Sequence, residues 1–508
     1  MATNNVKSGS TDFVEVEGKN YVAVTDLKPG AVGLAGAVMQ NVTHIAPAIA
    51  AFFFTQTLVG TAGGGAGGMA PLAYLIGLLI VIPLGVCLME LAKIFPSAGG
   101  YFTYVSRTLG PTMGFLTAWV FVLYSPIASG PSLAVLGQIL QDELTQNYGV
   151  TWFHWWFAPV IGIPLAAWCG YTGVSFSIKW IVTVGAAEFL IVLCLGLSGL
   201  LSPGPGGFSF GPFVPGFNPG GIATFSGVFL AVVLTVQGLT GWEAAVPLAE
   251  ETANPRRNVP RSIMASILII GIMLVLAQWG QVIGWGTDDI AKLQPSAEIP
   301  ALVIAHRIWG SLWWLTLLAM ITSVFGVTLA CQNVATRMWY SMGRAGVLPA
   351  TFGRVHPTRK TPGAAVTAQA VLSIGVGIVG PALMGTWTFF IFLVGYVLVL
   401  AVIFVYIAAN IGLTKYYLTE ARSQFNVILH LIFPIGTSLV LLYSIYAAFV
   451  PLPAAPNNWT PAVAAAWLVI GLVIVMVMKA SGKQEWLTKA GEVIAEREAT
   501  EAETAHSI

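Results

Sequence analysis

The residues best suited to chemistry in this chain lie between Gln237 and Arg261, in the segment QGLTGWEAAVPLAEETANPRRNVPR. Gly238, Gly241 and Glu243 interrupt an otherwise apolar run there. Inside a membrane, irregular backbone persists only where protein, water or a bound solute pairs with its N–H and C=O groups. The segment therefore predicts one half of a solute-binding site.

The composition indicates that this apolar run lies in a membrane. Of 508 residues, 56% are hydrophobic and only 8% are charged, whereas a soluble domain carries about 25% charged residues. A helix that crosses a bilayer needs about 20 apolar residues. Twelve such runs predict an all-α membrane protein. The predicted spans are 33–59, 71–93, 112–140, 152–171, 180–201, 223–249, 262–286, 311–340, 364–383, 386–409, 427–450 and 462–479.

Twelve spans place both ends of the chain on one side, and the basic residues indicate which side. With both ends inside, all of the 22 Lys and Arg residues except Lys292 and Arg307 fall in inner loops and tails. We therefore expect a multi-pass protein of the cell membrane with cytoplasmic tails at 1–32 and 480–508. The net charge of +1 gives no reason to expect nucleic acid as a partner.

The first predicted span contains a second interruption of this kind. The span 33–59 contains Asn41, Thr43, His44 and Pro47 within an apolar run. If spans one to five and six to ten form two structural repeats, each interruption lies in the first helix of its half. A proline kink explains either break alone, but paired broken helices are typical of a midplane binding site in a secondary transporter.

Three segments are similar to the amino acid, polyamine and organocation transporter superfamily. Met89 to Gly110 (MELAKIFPSAGGYFTYVSRTLG) resembles the second helix and its inner loop, and Gly241 to Pro260 (GWEAAVPLAEETANPRRNVP) resembles the sixth helix and its exit. Arg337 to Pro362 (RMWYSMGRAGVLPATFGRVHPTRKTP) resembles the eighth helix and the following loop. Their order along the chain identifies a resemblance that covers most of its length.

The resemblance implies a five-plus-five inverted-repeat core with broken helices 1 and 6. The repeats would occupy 33–201 and 223–409, separated by an outer Pro/Gly-rich loop at 202–222, with helices 11 and 12 at 410–479 outside the core. In relatives, N–H groups at the first break hold the substrate carboxylate and carbonyls at the second hold its amino group, in accord with half-helix dipoles. The implied binding residues are Thr43, His44, Ile45, Ala46 and Pro47, and Gln237, Gly238, Leu239, Thr240, Gly241 and Trp242.

The chain departs from its relatives at both breaks. Bulkier residues from Thr43 to Pro47 replace a glycine-rich motif, and Gln237 stands where many carriers place an aromatic gate. The glutamine suggests a different gate, or a substrate that accepts side-chain hydrogen bonds. Glu243 lies where span six restarts, a position that favours a negative charge. If Glu243 also faces the cavity, it would select amines or cationic amino acids.

Among single residues, Glu188 is the strongest candidate for a functional role. It lies nine residues beyond Lys179, which marks the inner surface, so it is roughly 13 Å deep in a core about 30 Å thick. A carboxylate at that depth must be paired or protonated and is functional by default. By resemblance, it occupies the fifth-helix position where proton-coupled members carry a lysine. We predict a proton carrier; the alternatives are a sodium site shared with Thr328 and a structural carboxylic acid.

Further charged residues predict a cytoplasmic gate. Glu250 and Glu251 can pair with Arg256 and Arg257 near the inner surface, although a solvated charge cluster is an alternative. Glu90 belongs to the region that contributes to this gate in relatives.

These features together predict a secondary active transporter that moves an amino acid or related small amine by alternating access, through proton-coupled symport. The alternatives are an exchanger, a sodium symporter and, from another class, a transporter-like membrane sensor. The four cysteines, Cys331 among them, fall in apolar spans and suggest core packing, and the histidines are dispersed. We therefore expect no metal site, no cofactor and no enzymatic activity.

Overall fold

A computed structural model describes residues 13–16, 19–22, 27–60, 65–293, 296 and 299–481. Two short strands, Phe13–Val16 and Lys19–Val22, pair antiparallel ahead of the first span. The remainder of the predicted N-terminal tail up to residue 26, and the predicted C-terminal tail beyond Ser481, lie outside the described residues.

The predicted all-α membrane architecture is confirmed. The described chain contains ten helical spans that are long and apolar enough to cross a membrane, together with two shorter apolar helices. We call these spans 1 to 12, and we call the side at which span 1 begins the inner side. In order they are Leu34–Val59, Gly67–Ile94, Pro111–Tyr148, Phe157–Thr172, Val174–Leu201, Phe225–Gly238, Pro255–Trp285, Trp314–Arg344, Gly363–Met384, Thr386–Thr419, Ile428–Phe449 and Asn457–Ala480.

Two loops carry helices of their own, Tyr101–Leu109 between spans 2 and 3 and Pro300–Trp309 between spans 7 and 8. The boundaries differ most at span 6, whose helix ends at Gly238 rather than at 249, and at span 10, which continues to Thr419 rather than ending at 409. The division into repeats at 33–201 and 223–409 stays a prediction.

Span 1 is broken where its sequence predicts. The helix Leu34–Ile45 ends at Ala46, which adopts a left-handed conformation with φ 56° and ψ 74°. Pro47 follows; it has no N–H to donate and disfavours a helical conformation in the residue before it. The chain then resumes through a π-helical turn, Ile49–Phe53, before Phe54–Val59 completes the span.

Span 6 is broken in the same way. Its helix ends at Gly238, the next seven residues form irregular turns, and a 3₁₀ segment, Val246–Glu251, completes the crossing. Gly241 has φ +124°, a backbone conformation that side chains with a Cβ rarely adopt. The breaks in spans 1 and 6 are therefore features of the fold and not simple kinks.

Polar side chains hold the two broken spans together. The Asn41 side-chain oxygen accepts a hydrogen bond from the backbone N–H of Ala245 at 2.6 Å, and its amide donates to Ser266 Oγ at 3.2 Å. Asn41 thus joins the inner half of span 1 to the restart of span 6 and to span 7. Span 1 also packs against spans 5 and 8, so the breaks lie in the middle of the bundle.

Candidate functional site

The two breaks are in direct contact. A Cβ atom on Gly241 would lie 2.7 Å from His44 Nδ1 and 2.8 Å from the backbone nitrogen of Ile45. These separations are shorter than any ordinary van der Waals contact. The absence of a side chain at Gly241 therefore lets the second break lie directly against the first.

A cavity of about 560 Å³ opens where the breaks meet. Spans 1, 3, 6, 8 and 10 supply its walls, and most of the lining side chains are apolar, such as Ile49, Val327, Phe390 and Leu398. Six of the predicted binding residues line it: His44, Ile45, Ala46, Gln237, Gly238 and Thr240.

The other predicted binding residues lie within the two breaks but do not line this cavity. The Thr43 hydroxyl donates to the backbone oxygen of Met39, one turn earlier in its own helix. Trp242 is fully buried, with its ring centroid 5.4 Å from that of Tyr406. Pro47, Leu239 and Gly241 are likewise absent from the lining of this cavity.

His44 connects the first break to two residues that the sequence did not single out as functional. Its Nε2 lies 3.0 Å from Ser125 Oγ and 3.6 Å from Cys331 Sγ. Its Nδ1 is buried without a hydrogen-bond partner in the described part of the chain. Cys331, assigned to core packing from the sequence, lines the cavity together with Tyr124.

Span 3 has an interruption of its own, which explains how Ser125 and Tyr124 reach the site. Between Phe121 and Ser125 its backbone leaves the helical conformation, and Tyr124 has φ −106° and ψ −100°. The signal in the sequence was Pro126, which lies in the first turn of the second helical segment of this span. A single proline in an apolar run was too weak a pattern to predict a cavity wall.

Glu243 lies behind the cavity rather than on its surface. Its Oε1 accepts hydrogen bonds from Tyr124 at 2.7 Å and Tyr406 at 3.0 Å, and its Oε2 accepts one from the backbone N–H of Gly241 at 3.1 Å. It does not line the cavity. The suggested role in amine recognition is therefore replaced by a role in holding the second break.

Glu188 reaches the first break from span 5. Its side chain is fully buried, and Oε1 accepts a hydrogen bond from the backbone N–H of Ala48 at 2.9 Å. Its Oε2 has no partner among the described residues. A carboxylate inside the membrane thus satisfies an N–H group that the break leaves without a helical acceptor.

The hydroxyl beside Glu188 comes from a different residue of span 8 than the sequence suggested. Ser323 lies next to the carboxylate, and its Oγ receives the N–H of Ile49 at 3.4 Å. Thr328 instead donates to the backbone oxygen of Val324 at 2.7 Å, within its own helix. A sodium site shared by Glu188 and Thr328 stays a prediction, and Ser323 is a further hydroxyl of span 8 at this carboxylate.

The inner end of span 6 is closed by two ion pairs to span 8. Arg337 Nε lies 2.8 Å from Glu251 Oε2, with both side chains fully buried, and Arg344 Nη2 lies 2.7 Å from Glu250 Oε1. A backbone hydrogen bond reinforces this closure, because the N–H of Val32 donates to the backbone oxygen of Glu251 at 2.9 Å. Glu250 and Glu251 therefore tie the end of span 6 to span 8, and their role in a gate stays a prediction.

The partners predicted for these acids are wrong. Arg256 and Arg257 are exposed on the first turn of span 7, because Asn254 makes a left-handed turn just before that helix begins. Glu90 is also separate: it pairs with Lys93 at 2.6 Å and accepts a hydrogen bond from Tyr417 at 3.3 Å.

A sequence profile of the amino acid permease family matches residues 36–483 of this chain. The chain belongs to the amino acid permease family. Membership and the twelve apolar spans together make it a multi-pass membrane protein, as predicted from the composition.

Curated relatives of this permease are distant in sequence. It is 26% identical to the branched-chain amino acid permease BcaP of Bacillus subtilis, over 60% of this chain and 66% of that protein. It is also 26% identical to the low-affinity putrescine importer PlaP of Escherichia coli, over 61% of this chain and 68% of the relative. With the L-methionine/branched-chain amino acid exporter YjeH of Escherichia coli it shares 24% identity, over 52% of this chain and 59% of the exporter. The alignments thus span about two thirds or less of these proteins.

We predict that Arg337→Met will lower the free energy of unfolding of this permease by about 3–5 kcal/mol, because it leaves the buried Glu251 carboxylate without its partner. The double variant Arg337→Met/Glu251→Leu should recover most of that loss, since neither charge remains. Thermal unfolding in detergent measures both. An equal loss in the single and double variants would show that packing, rather than the unpaired charge, explains the effect.

Proposed function

We propose that this permease is a secondary active transporter that moves a neutral amino acid with an apolar side chain across the cell membrane by alternating access. The observation that carries the proposal is the contact between two broken spans at one cavity. The ends of half-helices carry partial charges of opposite sign, which match the carboxylate and ammonium groups of an amino acid. The cytoplasmic location of both tails is part of the proposal and is supported by the distribution of Lys and Arg.

The arrangement around the cavity supports alternating access. On the inner side the ion pairs Glu251–Arg337 and Glu250–Arg344 close the route. On the outer side a second cavity of about 1430 Å³ shares Phe54, Gln237 and Phe390 with the first. The outer gate in our proposal consists of these three residues, and the inner gate consists of the two ion pairs.

Gln237 is the polar member of the outer gate. Its amide donates to the backbone oxygen of Val394 and so ties span 6 to span 10 between the two cavities. Its side-chain oxygen is buried without a partner among the described residues. A substrate ammonium group bound below the gate would supply the missing donor, which favours closure over an occupied site.

The lining of the cavity supports a neutral substrate. The described residues that line the cavity include no Asp or Glu, and the oxygens of Glu243 accept hydrogen bonds from two tyrosines and a backbone N–H. A diamine would place a second positive charge against apolar walls, where an unpaired charge is strongly unfavourable. The cavity therefore fits the branched-chain substrate in the name of BcaP better than the putrescine in the name of PlaP.

Proton coupling is proposed through Glu188. As a carboxylate, it accepts the Ala48 N–H that follows the first break. As a neutral acid, it is a weaker acceptor, so proton binding would loosen the contact between span 5 and the break. Proton loading would in this way favour one conformation of span 1 over the other.

Transport by purified protein in liposomes tests the proposal. We expect an imposed pH gradient alone to drive saturable leucine uptake, with isoleucine competing and with putrescine or lysine at least about tenfold weaker, because their extra charge meets no partner. A requirement for sodium would favour sodium symport, and a requirement for internal substrate would favour exchange. Binding of leucine without any transport would instead support the sensor alternative.

A further inference from the structure

A groove of about 940 Å³ runs between spans 10 and 11. Exposed apolar side chains form its walls, including Ile411, Leu418, Leu439 and Leu442. It shares no lining residue with the cavity at the breaks. Because spans 10 and 11 lie within a membrane, these walls face lipid and not water.

The polar groups within the groove are already paired inside the protein. Asn410 donates to Thr437 Oγ1 at 3.0 Å and to the backbone oxygen of Pro434 at 3.3 Å. The Thr414 hydroxyl donates to the backbone oxygen of His430 at 2.8 Å. The groove therefore offers an apolar channel rather than a set of free hydrogen-bonding groups, and an acyl chain suits it.

The length of the groove matches one leaflet. Its lining on span 10 extends from Ile407 to Thr419, which is about 18 Å of helix at 1.5 Å per residue. Half of the hydrocarbon core is about 15 Å thick. An acyl chain that enters from the inner surface would end near the middle of the bilayer, where the groove ends.

One charged residue lines the groove, and it lies at the end nearest the membrane surface. Lys415 is exposed and makes no ion pair with the described residues. Arg422 is exposed in the turn that joins spans 10 and 11, and Glu420 is the one exposed acid in the described part of that turn. In the proposed orientation this end faces the cytoplasmic leaflet, whose anionic lipids attract basic residues.

We propose that this groove binds one anionic phospholipid, with an acyl chain along Ile411 and Leu439 and the phosphate on Lys415. Charge complementarity selects the headgroup, and the apolar walls hold the chain. The site is separate from the transport cavity, so its occupancy does not depend on the proposed substrate.

Native mass spectrometry of the full chain in detergent tests this site, with equal amounts of phosphatidylglycerol and phosphatidylcholine that carry the same acyl chains. We expect one retained phosphatidylglycerol per protein. Lys415→Gln should reduce its preference over phosphatidylcholine by about fivefold, the ratio expected from about 1 kcal/mol for one lysine at a membrane surface. The control is Lys179→Gln, an exposed lysine near the inner end of span 5, which should leave the preference unchanged.

A second variant tests the acyl-chain contact. Leu439→Trp narrows the groove and should reduce retention of both lipids, whereas Val371→Trp, on an exposed position of span 9, should not. Equal lipid preference in Lys415→Gln and Lys179→Gln would overturn the proposal, even if Leu439→Trp failed to fold. A dimer that Leu439→Trp dissociates would also overturn it, by showing that a second copy of the chain covers the groove.

Discussion

Replacing Gly241 with leucine will abolish substrate binding in a protein that remains folded. A Cβ at this position would lie 2.7 Å from His44 Nδ1 and 2.8 Å from Ile45 N, so the two breaks must move apart. The backbone conformation, with φ +124°, adds strain of about 1–3 kcal/mol for any residue other than glycine. Because both breaks line the cavity, their separation changes the spacing of the groups that bind the substrate. Even the smaller change Gly241→Ala should raise the Kd for the substrate by more than about tenfold.

Ligand-induced thermal stabilisation measures this effect. Leucine at 100 times the wild-type Kd should stabilise the wild type by about 2.7 kcal/mol, Gly241→Leu not at all, and Gly241→Ala by at most about 1.4 kcal/mol. Gly375→Ala is the control, since Gly375 lies in the helix of span 9, does not line the cavity, and a Cβ there would have no atom within 4 Å. Wild-type affinity in Gly241→Leu would place the binding site elsewhere in the protein.

The breaks could be predicted from the sequence because local chemistry causes them. Pro47 and Gly241 disfavour a helix whatever surrounds them, and their positions in the first helix of each half were readable from hydrophobic runs alone. The apolar spans were equally readable, since a membrane-crossing helix needs a fixed length of apolar residues.

The partners of the buried acids could not be predicted in the same way. Glu250 and Glu251 lie close in sequence to Arg256 and Arg257, yet their partners are Arg344 and Arg337, about ninety residues away along the chain. Proximity along the chain favoured Arg256 and Arg257 as partners. The packing of span 8 against the inner end of span 6 instead brings Arg344 and Arg337 to the two acids. Such long-range contacts carry no periodic signal.

Burial also changed the interpretation of Glu243. The sequence places Glu243 at the restart of span 6, but the direction of its side chain depends on hydrogen bonds from Tyr124 and Tyr406, which belong to spans 3 and 10. The Glu243 carboxylate accepts three hydrogen bonds, and the one from the Gly241 N–H fixes the backbone of the second break. In the proposed function, substrate selection therefore falls to the apolar walls, to Gln237 and to His44.

The first break differs from the glycine-rich pattern in how its backbone groups are used. The Ala46 N–H donates to Thr43 O at 3.1 Å, and the Ala48 N–H donates to Glu188. N–H groups that would otherwise face a substrate carboxylate are thus paired within the protein. Release of the Ala48 N–H from Glu188 would provide a donor for the substrate, which links proton binding to substrate binding in one contact.

Glu188→Gln will therefore remove accumulation driven by a pH gradient while preserving substrate-for-substrate exchange. The amide of glutamine is neutral, like the protonated acid, so it holds the Ala48 N–H less strongly than the carboxylate does. Substrate can therefore bind and exchange, but the side chain no longer takes up or releases a proton. For one proton per substrate, each pH unit supplies about 1.4 kcal/mol, or about tenfold accumulation. The variant should lose that factor. Asp142→Asn, at an exposed acid of span 3, should retain it.

Uptake by wild-type and variant protein under matched pH and sodium gradients separates the roles proposed for Glu188. If the carboxylate is structural, glutamine should be nearly neutral for uptake under every gradient. If Glu188 and Ser323 ligate sodium, the variant should lose sodium dependence and respond little to pH. Undiminished proton-driven accumulation in Glu188→Gln would exclude this residue as the proton carrier, because the amide of glutamine cannot take up a proton in its place.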